Sequence, residues 1–270
     1  MMKILYLFLL FTPFLVNSQT LCWKLEQSFQ NSEIEAWDIT PLGEIVYSKG
    51  GNLFKLDTNL NQAFTQSRKD FGLITKIDAR HSLKALLFSE NQQMIGFVDN
   101  TLAFQEGKVD LASVGIGYGT HVCYSNQTNR FWVYDEQNAR LVRFEGIQST
   151  VAQSEISNLM NITYSNELVS MIEKQNQLFL FYEDQGVFVF DYYGSLLRKF
   201  DTKEALNIYP TEKFLYILEK KDIIRLNIKS GVEERIALPQ SDIIDLKVFG
   251  NVVYFKLTNG ISKYSLIPQP

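Results

Sequence analysis

Cysteine, histidine and runs of like charge are all scarce in this chain of 270 residues. Its two cysteines, Cys22 and Cys123, are too few for a disulfide framework and have no metal-ligand spacing. Its two histidines, His81 and His121, would make a catalytic pair only if both reached one face beside an orienting carboxylate. Lysine and arginine total 26 against 30 acids. They are dispersed, and the pairs Arg68-Lys69 and Lys220-Lys221 read as solvated surface, so there is no basic stripe for a nucleic acid. No serine sits in a nucleophile elbow and no phosphate-cradling loop occurs. Long amphipathic helices are missing too; residues 149–160 and 202–205 read as loops or single turns.

The one sustained apolar stretch lies at the N-terminus. Lys3 provides a positive start, residues 4–16 are apolar, and Val16, Asn17 and Ser18 form a small-residue cleavage signal. The stretch is too short to span a bilayer comfortably and is interrupted by Thr12 and Pro13. Residues 1–18 are therefore expected to be a signal peptide and 19–270 a single domain without a transmembrane segment. Losing Lys3 would take the formal charge from −4 to −5. Leu21 stands where a lipidation site before Cys22 would want a small residue.

What is present is a repeat. Six times a short apolar strand runs through a polar turn into a second strand, and Tyr47, Phe88, Tyr134, Phe181, Ile217 and Phe255 mark the ends of the first strands. Their spacing of roughly 40 residues is that of a propeller blade. Runs such as Leu178-Phe-Leu-Phe-Tyr182 are apolar at alternate and intervening positions alike. That suits strands sandwiched between two neighbouring sheets, whereas a sheet with one wet face would alternate strictly. Turns such as Glu183-Asp-Gln-Gly186 and Thr258-Asn-Gly260 carry hairpin residues. The expected fold is all-β, a six-bladed β-propeller, with blades near 31–70, 71–110, 111–157, 158–203, 204–239 and 240–270. The last repeat is one strand short, and a strand-like piece from Cys22 to Phe29 is left over before the first. The N-terminal strand is thus expected to complete the last blade and close the ring. Cys22 and Cys123 would then lie on opposite sides of the ring and remain unpaired, because a disulfide needs Cα atoms within about 7 Å.

The chain resembles secreted six-bladed β-propellers over almost all of its mature length, in the broad company of bacterial envelope propellers. It lacks the Trp-Asp ends of WD40 repeats and the paired glycines of kelch repeats. The resemblance implies an architecture and no single activity.

Candidate site residues follow from propeller geometry. Counting back about ten residues from each central strand places Trp37 and Asp38, Asp78, Tyr124, Met171, Asn207 and Asp245 near the central funnel. Asp38, Asp78, Asn207 and Asp245 would make an oxygen-rich ring suited to calcium, or else each acid caps a local backbone amide. His81 reads as a turn between two strands, and His121 begins an inner strand near the funnel mouth. The two therefore point to different places. The cluster Gly115-Ile-Gly-Tyr-Gly119 reads as a flexible crossing from the second blade to the third, with Tyr118 projecting over the funnel. Asn126 and Asn161 fit the N-glycosylation pattern by chance in a chain of bacterial character.

The functional expectation is a non-enzymatic binding or scaffold protein, periplasmic or associated with an outer-membrane protein complex, with no cofactor. One alternative is a calcium-dependent hydrolase or lyase with a funnel site. Another is carbohydrate or peptide binding through Trp37, Tyr118, His121 and Tyr124.

Overall fold

The computed structural model describes residues 21–81, 84–105, 107–146, 150–165, 167–202 and 204–268. The expected signal peptide lies outside them. Among the described residues, twenty-four strands form six four-stranded antiparallel sheets. The first blade comprises β2 (Trp37–Ile39), β3 (Ile45–Lys49), β4 (Asn52–Leu56) and β5 (Gln62–Ser67). The second comprises β6 (Lys76–Asp78), β7 (Lys84–Ser89), β8 (Met94–Asp99) and β9 (Val109–Asp110). In the third are β10 (Gly119–Tyr124), β11 (Arg130–Asp135), β12 (Arg140–Glu145) and β13 (Val151–Ile156). The fourth holds β14 (Leu168–Lys174), β15 (Gln177–Tyr182), β16 (Gly186–Asp191) and β17 (Leu196–Phe200). The fifth holds β18 (Ala205–Pro210), β19 (Phe214–Glu219), β20 (Asp222–Asn227) and β21 (Glu233–Ala237).

The sixth blade has the strand order β22 (Ile243–Phe249), β23 (Val252–Leu257), β24 (Gly260–Pro268) and β1 (Leu21–Gln30). The N-terminal strand therefore supplies its outer edge, running antiparallel to β24 from Leu21 opposite Pro268 to Gln30 opposite Gly260. Pairing the two chain ends in one ladder removes an exposed edge at the point where the ring would otherwise open. Trp23 fastens the seam: its indole stands edge-on to Phe255 at 5.3 Å and donates to the Ala237 carbonyl of the fifth blade at 2.7 Å.

Burial follows position in the blade. The middle strands β7, β15 and β16 are buried on both faces, while the outer strands β5 and β17 are almost wholly exposed. Apolar clusters fill the gaps between neighbouring blades. One joins Phe88, Phe97, Phe131 and Phe144 of the second and third, and another joins Trp132, Tyr134, Leu180 and Phe188 of the third and fourth. Gly186 opens β16 at φ 88°, where a Cβ would come within 2.4 Å of the Phe200 carbonyl, so only glycine fits. Both cysteines are free, Cys123 buried on an inner strand of the third blade and Cys22 on the outer strand of the sixth.

Two expectations need correction. The glycine-rich crossing does join the second blade to the third, but it is tied down. The amides of Gly117 and Tyr118 donate to the buried Asp135 carboxylate at 3.3 and 3.2 Å, and Asn138 and Arg140 complete that carboxylate's shell. Nor does a fixed count from the central strands find equivalent inner-strand positions. β10, β14, β18 and β22 each shift register near their start, between Gly119 and His121, Leu168 and Ser170, Ala205 and Asn207, and Ile243 and Asp245. These irregularities lie N-terminal to the counted positions; the count itself fails because the hairpins after the inner strands differ in length, so that residues directly opposite one another are 10, 12 or 13 positions apart. By register, Trp37 lies opposite Tyr47, Lys76 opposite Phe88 and His121 opposite Tyr134.

Candidate functional site

The six inner strands, β2, β6, β10, β14, β18 and β22, surround a central channel that gathers both acids and bases. Asp38 is 2 % exposed and accepts from the Ala79 amide of the next blade at 2.8 Å, with Lys247 of the sixth blade 3.7 Å from its second oxygen. Burial raises the Asp38 pKa, and the more distant Lys247 charge does not offset this. Asp78 accepts from the Tyr124 amide of the third blade at 2.8 Å and pairs with Arg80 through both oxygens. Burial alone would raise Asp78; the Arg80 charge and these hydrogen bonds outweigh it and hold the carboxyl below its ordinary value. Asp245 accepts from the Trp37 indole at 2.7 Å and the Asn207 amide at 2.6 Å, joining the fifth, sixth and first blades.

A further acid comes from the fourth blade, in which no channel acid was expected. Glu173, 1 % exposed, accepts from the Trp132 indole at 2.5 Å and the Asn126 amide at 3.0 Å. Arg80 reaches from the second blade to the fourth and donates to the Glu173 carbonyl at 2.7 Å. The acids thus stitch neighbouring inner strands together, as buried carboxylates must if they are to stay ionised.

Toward the end where the inner strands begin stand Lys76 and His121. Burial, then the Lys247 charge, lowers the Lys76 pKa. Burial and the Lys76 charge push His121 down to about 4, so its ring is neutral near pH 7. The ring contacts Thr120 Oγ1 at 3.1 Å and the Val169 carbonyl at 3.2 Å.

At the opposite end, where each inner strand turns into the second strand of its blade, the channel widens into a cavity of about 730 Å³. That volume lies within the usual range for ligand sites, on the order of 300–1,000 Å³. Arg80 and Tyr209 line its floor, and Tyr209 also carries Lys247 5.7 Å above its ring. The walls differ. The second, third and fourth blades contribute Arg80, His81, Asn126 and Lys174, while the fifth, sixth and first contribute Phe214, Tyr216, Phe249, Val253 and Ile39, with Glu212, Lys213 and Arg225 also on the fifth.

Of the residues expected at a ligand site, Tyr124 lines this cavity and packs 5.4 Å from His81. Trp37 is buried with its indole committed to Asp245. Tyr118 donates to Glu90 at 3.0 Å, away from the cavity lining. His121 faces the other mouth. The projection of Tyr118 over the funnel is therefore replaced by a peripheral position, set by the loop's attachment to Asp135. The expected calcium residues do converge on the channel, but their oxygens already hold amides, an indole, a guanidinium and an ammonium. No group of three or more His, Cys, Asp or Glu side chains is placed to hold a metal ion among the described residues. This donor set fits ion pairing and does not fit a calcium cage, which draws on six to eight oxygens.

The cavity cations Arg80, Lys174 and Lys213 escape sequence reasoning because they sit at or just beyond the ends of inner strands, where charged turn residues are commonplace. The usable signal was their shared place in the repeat, at or within three residues of the end of the inner strand of their blades.

Fold and channel together define a six-bladed β-propeller with a charge-stitched axis and an open cavity at its hairpin end. No family model and no curated protein matches the sequence. Solved structures match it by fold. A catalytically inactive virginiamycin B lyase from Staphylococcus aureus, with quinupristin, is 12 % identical with a TM-score of 0.62, over 91 % of this chain and 100 % of that one. A streptogramin B lyase structure is 13 % identical with a TM-score of 0.63, over 92 % of this chain and 98 % of that one. Identity this low speaks to the fold alone. No described helix is long and apolar enough to cross a membrane.

Proposed function

We propose that this is a non-enzymatic binding propeller of the bacterial cell envelope, exported by its N-terminal segment, which holds part of a partner protein in the cavity at the hairpin end of the channel. The observation that carries the reading is the contrast in how charge is used. Asp78, Glu173 and Asp245 have both oxygens engaged by donors. Asp38 Oδ1 accepts no hydrogen bond among the described residues and faces the Lys247 ammonium at 3.7 Å. The channel carboxylates are therefore engaged in ion pairing and hydrogen bonding and not set out as an open general base. Lys174 and Lys213 at the cavity, by contrast, have no acidic partner among the described residues. A cavity of ligand size with unanswered cations and an aromatic wall is suited to recognition.

The calcium-dependent hydrolase or lyase reading gains no support from the likeness to lyases, which is of fold alone. The carbohydrate reading loses two of its stacking residues, Trp37 and Tyr118, to other contacts. Purification of the full chain at native expression in mild detergent tests the proposal. Recovery with a stoichiometric envelope protein supports it, and recovery of the chain alone would overturn it.

A further inference from the structure

The two unlike walls of the cavity restrict what can occupy it. On one side Arg80 and Lys174 come from the second and fourth blades; on the other, the fifth blade brings Lys213 and Arg225 beside Tyr209 and Phe214, and the sixth brings Phe249. The protein as a whole carries a formal charge of −4, yet Arg80, Lys174, Lys213 and Arg225 line this cavity against a single acid, Glu212. Asp78 answers Arg80 and Glu234 answers Arg225. Lys174 is half-buried beside Glu173 with no ion pair among the described residues, and Lys213 has only the face of Phe214, 5.2 Å away. A partly desolvated ammonium without a partner favours an anion, and charge-assisted hydrogen bonds are the stronger kind.

The apolar side also extends beyond the cavity. Phe249 is 38 % exposed and Leu42, on the neighbouring turn of the first blade, 66 %. The two turns touch, since the Gly43 Cα lies where a Cβ would meet the Phe249 ring at 3.0 Å. A small molecule enclosed by the cavity would leave this rim bare, whereas a polypeptide segment entering from outside would cover it.

Resting on the binding reading above, we infer that the occupant is a peptide segment of the partner that combines an acidic side chain with a large apolar one. The carboxylate is set against Lys174 and Lys213, and the apolar side chain against Phe214, Phe249 and Leu42.

An immobilised array of peptides about twelve residues long, in which Glu, Gln, Lys, Phe and Gly are permuted, is the probe, with the full chain as analyte. Peptides carrying Glu close to Phe should be retained, and replacing Glu by Gln or Phe by Gly should each weaken retention about tenfold, or roughly 1.4 kcal/mol. The double variant Lys174→Glu with Lys213→Glu should lose the acidic peptides and gain those carrying Lys, with its circular dichroism unchanged. Retention indifferent to Glu→Gln, but lost with Phe249→Asp, would overturn the acidic specificity and leave the binding reading intact. Retention of no peptide, with envelope co-purification intact, would overturn the peptide class for this cavity. Loss of both would remove the inference and the binding reading together.

Discussion

Glu173 and Lys174 are adjacent on one strand and belong to two regions that treat charge in opposite ways. Glu173 faces the channel, where two donors from the third blade meet its oxygens. Lys174 faces the cavity, where nothing acidic meets it among the described residues. The same contrast separates Asp78, answered through both oxygens, from exposed Lys213. Concentrated charge at the axis is therefore a poor guide to chemistry in this propeller. A buried charge must be matched for the ring to fold, so the informative groups are those left unmatched at an open surface.

The largest effect that can break this comparison comes from Asp78→Ala. It would strand the Arg80 guanidinium in the channel and leave the Tyr124 amide without its acceptor. Removing one partner of a buried pair costs about 3–5 kcal/mol. Lys174→Ala removes an unmatched cation and should stay within about 0.5 kcal/mol of the parent. Urea denaturation at pH 7 measures both, and equal losses would show that the two regions do not differ in kind.

Acid provides the next test, at the other mouth of the channel. His121 has an ordinary pKa of 6.5, pushed down to about 4 in the folded chain by burial and the Lys76 charge. Between those values the unfolded chain takes up a proton that the folded chain refuses. The His121 contribution is thus fully present above pH 6.5 and is lost as pH falls toward 4. A shift of this size corresponds to about 3 kcal/mol. His121→Gln should flatten that part of the stability profile, measured as the difference between the two proteins in urea titrations from pH 7 to 4. An unchanged slope in the variant would place the ring in solvent.

A smaller effect concerns the seam. Trp23→Phe keeps an aromatic ring against Phe255 but removes the donor to the Ala237 carbonyl, and should cost about 1 kcal/mol. The loss is to be read against Asp78→Ala in the same denaturation series. A cost as large as that of the channel variant would mean that ring closure, more than the charged axis, limits stability.

How much of this was legible in the sequence differs between the same two regions. The blades could be read because β15 and its counterparts are apolar at consecutive positions and end in turn residues, a pattern that local chemistry imposes on every repeat. Ring closure was legible for a similar reason: Ile261 to Leu266 lacked a partner strand and Cys22 to Phe29 had none. The axis was read in part. Asp38, Asp78, Asn207 and Asp245 do reach it, but a count that takes one position per blade stops there, so Lys76, Glu173 and Lys247, two residues away from the counted positions on the same strands, were passed over. The partners of Asp38 and Asp78 include the backbone amides of Ala79 and Tyr124 in neighbouring blades, and a sequence carries no mark of which amide an aspartate will meet. The cavity was hidden more thoroughly, because Arg80, Lys174 and Lys213 look like ordinary charged turn residues until six turns are brought to one end.

The smallest effect expected is none, and it bears on the three channel aspartates together. For calcium to bind among Asp38, Asp78 and Asp245, Asp78 would have to release Arg80, Asp245 would have to release the Trp37 indole and Asn207, and Asp38 would have to give up the Lys247 ammonium beside its Oδ1. Each release leaves a donor unmatched inside the ring, at about 1–3 kcal/mol apiece, and the ion would also approach Lys247 and Arg80, whose charges oppose it. A ligand that binds only the folded chain raises its melting temperature in proportion to the logarithm of its concentration over Kd. The melting temperature should therefore be the same with millimolar calcium and with excess chelator. A reversible rise of several degrees with calcium, abolished in Asp245→Asn, would mean that the acids are more loosely held than their hydrogen bonds indicate, and that the axis and the cavity are alike in having charge to spare.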